Sequence, residues 1–177
     1  MNYLVVSDIH GSAGYLKKFM KVVKMENPDK IILLGDIYYH GPRNKLPKGY
    51  DPMKVAEMLN TVSDKIFCAH GNCDAEVDQM ISKFEFSEKQ ELEISGKKFL
   101  FVHGHHLNFQ DMPKNYDFVF GGHTHVSGIK SVDGVMYVNP GSLALPKGGT
   151  TNSYAKIEDN KISIISIKGK IILEKEF

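Results

Sequence analysis

The chain has 177 residues, with 22 Lys and Arg against 21 Asp and Glu, so its formal net charge at pH 7 is +1. This balance gives no electrostatic reason to expect a nucleic acid or an anionic membrane as the main partner. The longest apolar runs, such as LVV and IILL, are far shorter than the ~20 residues that a membrane-spanning helix requires. The length suits one domain over residues 1–177.

The N-terminus and the cysteines indicate the compartment. MNYLVVSDIHG lacks the basic region and the small-residue cleavage site of a secretory signal peptide. Cys68 and Cys73 are the only cysteines, and no second pair would complete a thiolate zinc site. We therefore predict reduced thiols and a cytoplasmic protein.

The first half of the chain alternates predicted strands with predicted helices. NYLVVSD, KIILLGD and KIFCAHGN are apolar runs of the kind that form buried strands. A first helix ends at Asn27-Pro28, and a second follows the loop HGPRNKLPKGYDP. Their apolar faces are formed by Leu16, Phe19, Met20 and Val23 and by Val55, Met58, Leu59 and Val62. This alternation predicts an α/β fold with a largely parallel sheet.

The second half is dominated by predicted strands. ELEISGKKFLFVHG indicates a hairpin, DFVFGGHTH a strand followed by a loop, and VDGVMYVNPGS a hairpin that turns at Asp133-Gly134. YAKIED, KISIISI and IILEKEF favour antiparallel structure at the end of the chain. We therefore expect two packed sheets flanked by helices in one domain.

Polar side chains follow five predicted strands, nearly always beside a glycine. In chain order they are Asp8 and His10, Asp36, Asn72, His103 and His105, and His123 and His125. Each motif alone is also compatible with an ordinary turn or helix cap. Ligands bind beyond the carboxyl ends of the strands in open α/β sheets, so the set as a whole predicts one functional crevice.

The residue types in this set indicate a metal centre. Carboxylates, a carboxamide and imidazoles without thiolate suit Mn²⁺, Fe²⁺, Co²⁺, Ni²⁺ or Zn²⁺. The set offers more ligands than one ion needs, which favours two ions sharing a carboxylate. Such a pair could clamp a phosphoryl group for in-line attack.

The order D-x-H, G-D, G-N, H and G-H-x-H over residues 8–125 resembles the calcineurin-like metallophosphoesterase signature. SDIHGS, GDIYYHGPRN, GNCD, EVDQM and NPGS…PKGG resemble the YfcE-type bacterial phosphodiesterases more narrowly. The resemblance implies a four-layer α/β/β/α sandwich of the metallophosphoesterase type. It also implies a dinuclear phosphodiesterase in which a metal-bridging hydroxide attacks a small phosphoester.

The resemblance further implies which residues hold the two divalent ions, with Mn²⁺ placed ahead of Fe, Ni, Co and Zn. One set would be Asp8, His10, Asp36 and His125. The other would be Asp36, Asn72, His103 and His123, so that Asp36 bridges.

Further candidates surround these ligands. Many family members have histidine directly after the Gly-Asn, where this chain has Cys73, as YfcE-type relatives do. Cys73 and His105 are candidate catalytic residues, although Cys73 is equally explained as a small residue filling a tight loop. Asn72, Arg43 and His40 are candidate substrate contacts, whereas a solvent-facing loop explains Arg43 equally well. We interpret His70 and His106 as structural.

Other functions remain open on the sequence alone. The same fold serves in eukaryotes as a non-catalytic retromer scaffold, and a phosphomonoesterase would need the same metal clamp. A nuclease would predict a basic strip, which the +1 net charge does not supply. We expect a small phosphoester as substrate, and no nucleic acid or membrane as partner. Apolar residues in the loop over 37–53 are candidates for a homo-oligomer interface.

Overall fold

The computed structural model describes residues 1–177. Three α-helices form, namely α1 (Ala13–Glu26), α2 (Pro52–Asn60) and α3 (Glu76–Ile81), with a 3-10 turn at Ser63–Lys65. The first six strands are β1 (Asn2–Val6), β2 (Lys30–Leu33), β3 (Ile66–Ala69), β4 (Phe86–Ser87), β5 (Gln90–Ile94) and β6 (Lys97–Phe101). The last six are β7 (Phe118–Phe120), β8 (Gly128–Val132), β9 (Val135–Asn139), β10 (Ser153–Glu158), β11 (Lys161–Ser166) and β12 (Ile171–Glu176).

The strands form two sheets. The first has seven strands in the order β12-β11-β10-β1-β2-β3-β4. Strands β1 to β4 run parallel to one another, while β10 pairs antiparallel with β1 and continues into an antiparallel edge with β11 and β12. The second has five strands in the order β5-β6-β7-β9-β8, with β6, β7 and β9 parallel. The predicted hairpins β5–β6 and β8–β9 and the antiparallel C-terminal strands are confirmed.

Capping side chains fix where the two longer helices begin and end. The Ser12 side chain accepts a hydrogen bond from the Tyr15 amide at the start of α1, and left-handed Asn27 ends the helix before Pro28. The Asp51 side chain caps α2, and Pro52 occupies its first turn. The predicted apolar face of α2 extends too far, because Val62 lies two residues beyond Asn60, where the helix ends.

Successive side chains of β1 point to opposite faces of the first sheet and so contribute to two different hydrophobic clusters. Leu4 and Val6 pack in the cluster beneath α1 and α2, whereas Tyr3 and Val5 face the second sheet. The cluster between the sheets is rich in phenylalanine and includes Phe99, Phe101, Phe118 and Phe120. The two-sheet α/β fold of the metallophosphoesterase type is confirmed.

On the outer face of the second sheet, turns and loops replace the helical layer that the predicted α/β/β/α sandwich would have there. Met112, with Leu107 and Phe109 beside it, packs on Leu100 and Tyr137. The segment between β6 and β7 therefore supplies this outer layer in turn and loop conformation. No helix of the chain combines the length and the apolar character that crossing a membrane requires. The single-domain assignment stays a prediction.

Candidate metal centre

The predicted ligands meet where parallel strands end. Asp8, Asp36 and Asn72 follow β1, β2 and β3, which lie side by side in the first sheet. His103 follows β6, and the loop that contains His123 follows β7, its parallel neighbour in the second sheet. Since parallel strands end at the same edge, the topology brings residues separated by more than 100 positions into one cluster.

The backbone of the cluster is unusual. Left-handed φ values between 48° and 61° occur at Asp8, His10, Asp36, His123 and His125. Such conformations are uncommon outside glycine, and each costs on the order of 1–3 kcal/mol. The fold holds them by hydrogen bonds, as when the His10 amide donates to the Asp36 carbonyl at 2.9 Å. Concentration of this strain in one cluster indicates a functional site.

A first group of side chains is almost completely buried. Asp8, His10 and His125 have relative exposures of 0%, 0% and 2%. Nε2 of His125 lies 3.1 Å from Oδ1 of Asp8, and Nε2 of His10 lies 3.5 Å from the same oxygen. The two Nε2 atoms are 3.2 Å apart. One carboxylate oxygen and two imidazole nitrogens thus face a common point.

Asp36 connects this group to a second one. Its Oδ2 lies 3.7 Å from Nε2 of His10, while its Oδ1 lies 3.4 Å from Nε2 of His103. Nε2 of His103 is also 3.0 Å from Oδ1 of Asn72 and 3.3 Å from Nδ1 of His123. The two oxygens of one carboxylate therefore face two different sets of donor atoms.

Hydrogen bonds select the ring nitrogens that face the cluster. The Nδ1 atoms of His10, His103 and His125 donate to the carbonyls of Tyr39, Leu34 and Leu145 at 2.7, 2.7 and 2.6 Å. A proton held at Nδ1 leaves the Nε2 lone pair of a neutral ring free for a metal ion. His123 differs, since its Nδ1 faces His103 and no carbonyl holds it.

The electrostatics fit a bound cation. Burial favours the neutral form of Asp8, but the imidazoles of His10 and His125 outweigh it and hold the pKa of Asp8 well below its ordinary value. Burial also disfavours charge on His103, yet Asp36 beside it raises the pKa of His103 to about 9. A metal ion would displace that proton.

One buried atom tests the fit directly. Oδ1 of Asp8 is buried and accepts no hydrogen bond, although His125 lies close to it. A buried carboxylate oxygen without a partner is costly, and a divalent ion would satisfy it. Oxygen and imidazole donors suit borderline and hard ions. The residues present therefore fit a metal centre.

Asp74 is a supporting residue that our sequence analysis missed. Its buried carboxylate accepts hydrogen bonds from the amides of Asp36, Ile37 and Gly71 at 2.8, 2.7 and 2.8 Å. It thereby fixes the loop that carries the bridging carboxylate against the loop that carries Asn72. Asp74 is the last residue of the GNCD motif, but an Asp shortly after Gly-Asn is equally typical of an exposed turn. Nothing in the sequence therefore distinguished a buried supporting carboxylate from a turn residue.

The NPGS segment, which the sequence presented as a turn, also supports the cluster. Oγ of Ser142 donates to the Asp8 carbonyl at 2.8 Å, and Nδ2 of Asn139 donates to the Gly122 carbonyl at 2.8 Å. Close packing extends to glycine, because a Cβ on Gly122 would lie 2.6 Å from Oδ2 of Asp8. Any side chain at that position would push the carboxylate aside.

The remaining candidates differ in their distance from the cluster. The Sγ atom of Cys73 lies within 4.8 Å of ligand atoms of His10 and Asp36. Burial, followed by the negative charge of Asp36, raises the pKa of this half-buried thiol to about 12. His105 places its ring centroid 5.3 Å from that of His103. Both candidate catalytic residues therefore lie beside the cluster.

The loop candidates are not drawn into it. The His40 ring packs between Tyr39 and Tyr50, with centroid distances of 4.8 and 5.3 Å. Arg43 is exposed. The structure thus brings together the seven predicted ligands with Cys73 and His105, and leaves Arg43 and the His40 ring in a neighbouring loop.

Comparison with known proteins gives the family. The model of the calcineurin-like phosphoesterase superfamily domain matches residues 1–161. The chain belongs to this superfamily. Phosphodiesterase YfcE of Escherichia coli strain K12 is 36% identical over 176 residues, covering 98% of this chain and 96% of that protein. Membership implies divalent metal ions, and the buried Asp and His residues are candidates to hold them.

Solved structures agree with this fold. E. coli YfcE, described as a phosphoesterase, matches with a TM-score of 0.94 at 34% identity, covering 99% of both chains. Vps29 of Entamoeba histolytica, solved in complex with zinc, matches with a TM-score of 0.68 at 19% identity, again covering 99% of both. The second likeness concerns the fold alone.

Proposed function

We propose that this protein is a metal-dependent phosphodiesterase that hydrolyses a small phosphoester at two divalent ions. The observation that carries the proposal is the position of Asp36, whose two oxygens face separate donor sets at 3.7 and 3.4 Å. Its similarity to YfcE, a protein named phosphodiesterase, supports the same reaction.

The ligands follow from the geometry of the two sets. Asp8, His10 and His125 would hold one ion together with Asp36. Asn72, His103 and His123 would hold the other together with the second oxygen of Asp36. We propose Mn²⁺ as the working metal, with Fe, Co, Ni and Zn as competitors that the same donors accept.

When bound, the two ions would activate a water molecule as nucleophile and neutralise charge on the phosphoryl oxygens. The chain contributes positioning. Asp74 and Ser142 hold the loops that carry the carboxylates, through hydrogen bonds to backbone groups. Asn72 is exposed, so its carboxamide can contact substrate from the rim of the cluster as well as a metal ion.

Cys73 and His105 would act on the ester oxygens. A thiol with a pKa of about 12 stays protonated at neutral pH but releases its proton reluctantly. We therefore propose that the enzyme favours diesters whose leaving groups need little protonation. Arg43, in the exposed loop, and His40 in the same loop are proposed substrate contacts.

The free thiols of Cys68 and Cys73 support a reducing compartment, and we propose the cytoplasm. We propose a small molecule, rather than a nucleic acid, as the substrate, because the formal net charge is +1. Exposed Leu46 and Met53 in and beside the 37–53 loop keep a homo-oligomer open as a proposal.

The direct experiment is removal and return of metal. EDTA should abolish hydrolysis of bis(p-nitrophenyl) phosphate, and Mn²⁺ should restore it, with metal analysis approaching two ions per chain. Activity that neither EDTA nor added Mn²⁺ changes would contradict the proposal. A protein that binds metal but hydrolyses neither diesters nor p-nitrophenyl phosphate would be a scaffold, and a preference for the monoester would indicate a phosphomonoesterase.

A further inference from the structure

A cavity of about 240 Å³ adjoins the metal centre, and most of its lining has no role in the proposed chemistry. His103, a proposed metal ligand, forms part of its wall, so the cavity lies directly beside the cluster. His105 shares this wall, and its Nδ1 is buried without a hydrogen-bond partner, so no protein group holds this ring in place. An imidazole in a cavity wall that no protein group satisfies points to a polar ligand beside it.

Two more imidazoles line the same space. The His106 ring is tilted by 45° against that of His105 at a centroid distance of 3.9 Å, and the His70 ring lies edge-on to Phe86 at 6.1 Å. We interpreted both residues as structural on sequence, yet no hydrogen bond to another protein group occupies either ring. The rings of three histidines from two separate strand ends therefore line one cavity, and no protein group forms a hydrogen bond with any of them.

The chemistry of these groups suggests what they bind. A neutral imidazole has one donor and one acceptor nitrogen, and a hydroxyl group is likewise both donor and acceptor. Val102 and Leu107 add apolar wall that suits the carbon atoms carrying such hydroxyls. The cavity is thus matched to a short hydroxylated chain or ring.

Charge at the rim argues against a second anionic group. The carboxylate of Glu88 lines the cavity without an ion-pair partner, while the neighbouring Lys89 is already paired with Glu91. An added phosphate or carboxylate on the substrate would meet the unpaired carboxylate and find the ammonium engaged. A neutral hydroxylated group meets no such repulsion.

We propose that this cavity binds a hydroxyl-bearing organic group of the phosphodiester, with His70 and His106 as specificity-determining residues. The inference rests on the proposed phosphodiesterase function. It names the class of one ester group, which the metal cluster alone leaves undefined.

A matched pair of substrates tests it. p-Nitrophenyl 2,3-dihydroxypropyl phosphate and p-nitrophenyl propyl phosphate have the same leaving group and carbon chain and differ only by two hydroxyls. We expect the wild-type kcat/KM to favour the dihydroxypropyl ester by about tenfold, since each retained hydrogen bond is worth about three- to tenfold. His106→Ala should reduce this ratio about threefold or more, and His106→Asn should restore part of it.

Controls separate the possible failures. Gln110→Ala, an exposed polar residue of the same segment outside the cavity, should keep the wild-type ratio. His70→Ala gives a second reading, with thermal unfolding measured because the residue is half-buried, and exposed His106 does not carry that risk.

Equal kcat/KM for the two esters, or a wild-type ratio in both histidine variants, would overturn the inference and leave the phosphodiesterase proposal intact. Preference for a 2-carboxyethyl ester would also overturn it, because the cavity would then select an anion. Hydrolysis of no diester in the presence of Mn²⁺ would overturn the proposed function, and this inference with it.

Discussion

The two halves of the metal centre differ in how firmly the fold holds them. In the buried half (Asp8, His10 and His125), each imidazole is fixed by a backbone carbonyl and all three residues are left-handed. In the open half (Asn72, His103 and His123), Asn72 is exposed, and the half-buried His123 has no carbonyl partner. Only His103 there is both buried and anchored.

This difference separates retention of metal from access to it. A preorganised donor set from which water is excluded needs little rearrangement when an ion binds. We therefore expect the buried half to bind its metal ion tightly. We expect the open half to leave room for substrate beside its ion and for exchange of that ion. Asp36 belongs to both halves, and removing it should affect them together.

Asp36→Ala should have the largest effect. Loss of the shared carboxylate removes several kcal/mol of transition-state stabilisation, so kcat/KM for a diester should fall by about 10³-fold or more. The measurement is steady-state hydrolysis at saturating Mn²⁺. Asp64→Ala, at an exposed carboxylate in the 3-10 turn, is the control and should retain activity. Near-normal turnover in Asp36→Ala would contradict the bridging assignment.

A comparison of His125→Ala with His123→Ala tests the two halves directly. We expect His125→Ala to weaken binding of the tighter ion by about 100-fold, because it opens the buried set. His123→Ala should weaken the other ion by about tenfold, since exposed Asn72 and water can compensate. Isothermal titration calorimetry with Mn²⁺ measures both affinities. Equal losses would mean that burial does not distinguish the halves.

Asp74→Ala should lower both the stability and the activity of the protein. Three backbone amides would lose their acceptor, which should lower the free energy of unfolding by about 3 kcal/mol and kcat/KM by about tenfold. Asp78→Ala is a matched control, because the Asp78 carboxylate accepts a single hydrogen bond, from the exposed Ala75 amide at the start of α3. Both free energies of unfolding are measured with denaturant. Equal values for Asp74→Ala and Asp78→Ala would refute the special role of Asp74.

Cys73→His should give the smallest effect, confined to substrate choice. An imidazole protonates a leaving group more readily at neutral pH than a thiol with a pKa of about 12. We expect the rate for an unactivated alkyl diester to rise severalfold relative to bis(p-nitrophenyl) phosphate. Cys73→Ser keeps the size of the side chain and should leave this ratio unchanged. An unchanged ratio in Cys73→His would assign the position to packing.

The short elements that the sequence analysis missed have a common cause. Helix α3 spans six residues, none of them buried, and β4 spans two, so neither has enough length for a periodic apolar pattern. The longer elements around the site were predicted because their buried faces recur. Leu16, Phe19 and Val23 repeat along α1, and Leu4 to Val6 form a continuous apolar run in β1.

The sequence by itself determined the donor types and their places after the strands. A buried strand is visible as an apolar run, and the polar residue that ends it is visible as the break in that run. Asp8, Asp36 and His103 each mark such a break. Since parallel strands end at one edge, this local information was sufficient to predict that the donors converge.

Only the tertiary structure decided how those donors are held and what surrounds them. The Ser142 hydroxyl reaches the Asp8 carbonyl across 134 positions, and the carbonyl of Leu145 fixes the His125 ring. Such contacts depend on where two loops meet in space, and no periodicity along the chain encodes that meeting. His70 and His106 line one cavity for the same reason, because they belong to segments that only the folded sheets bring together.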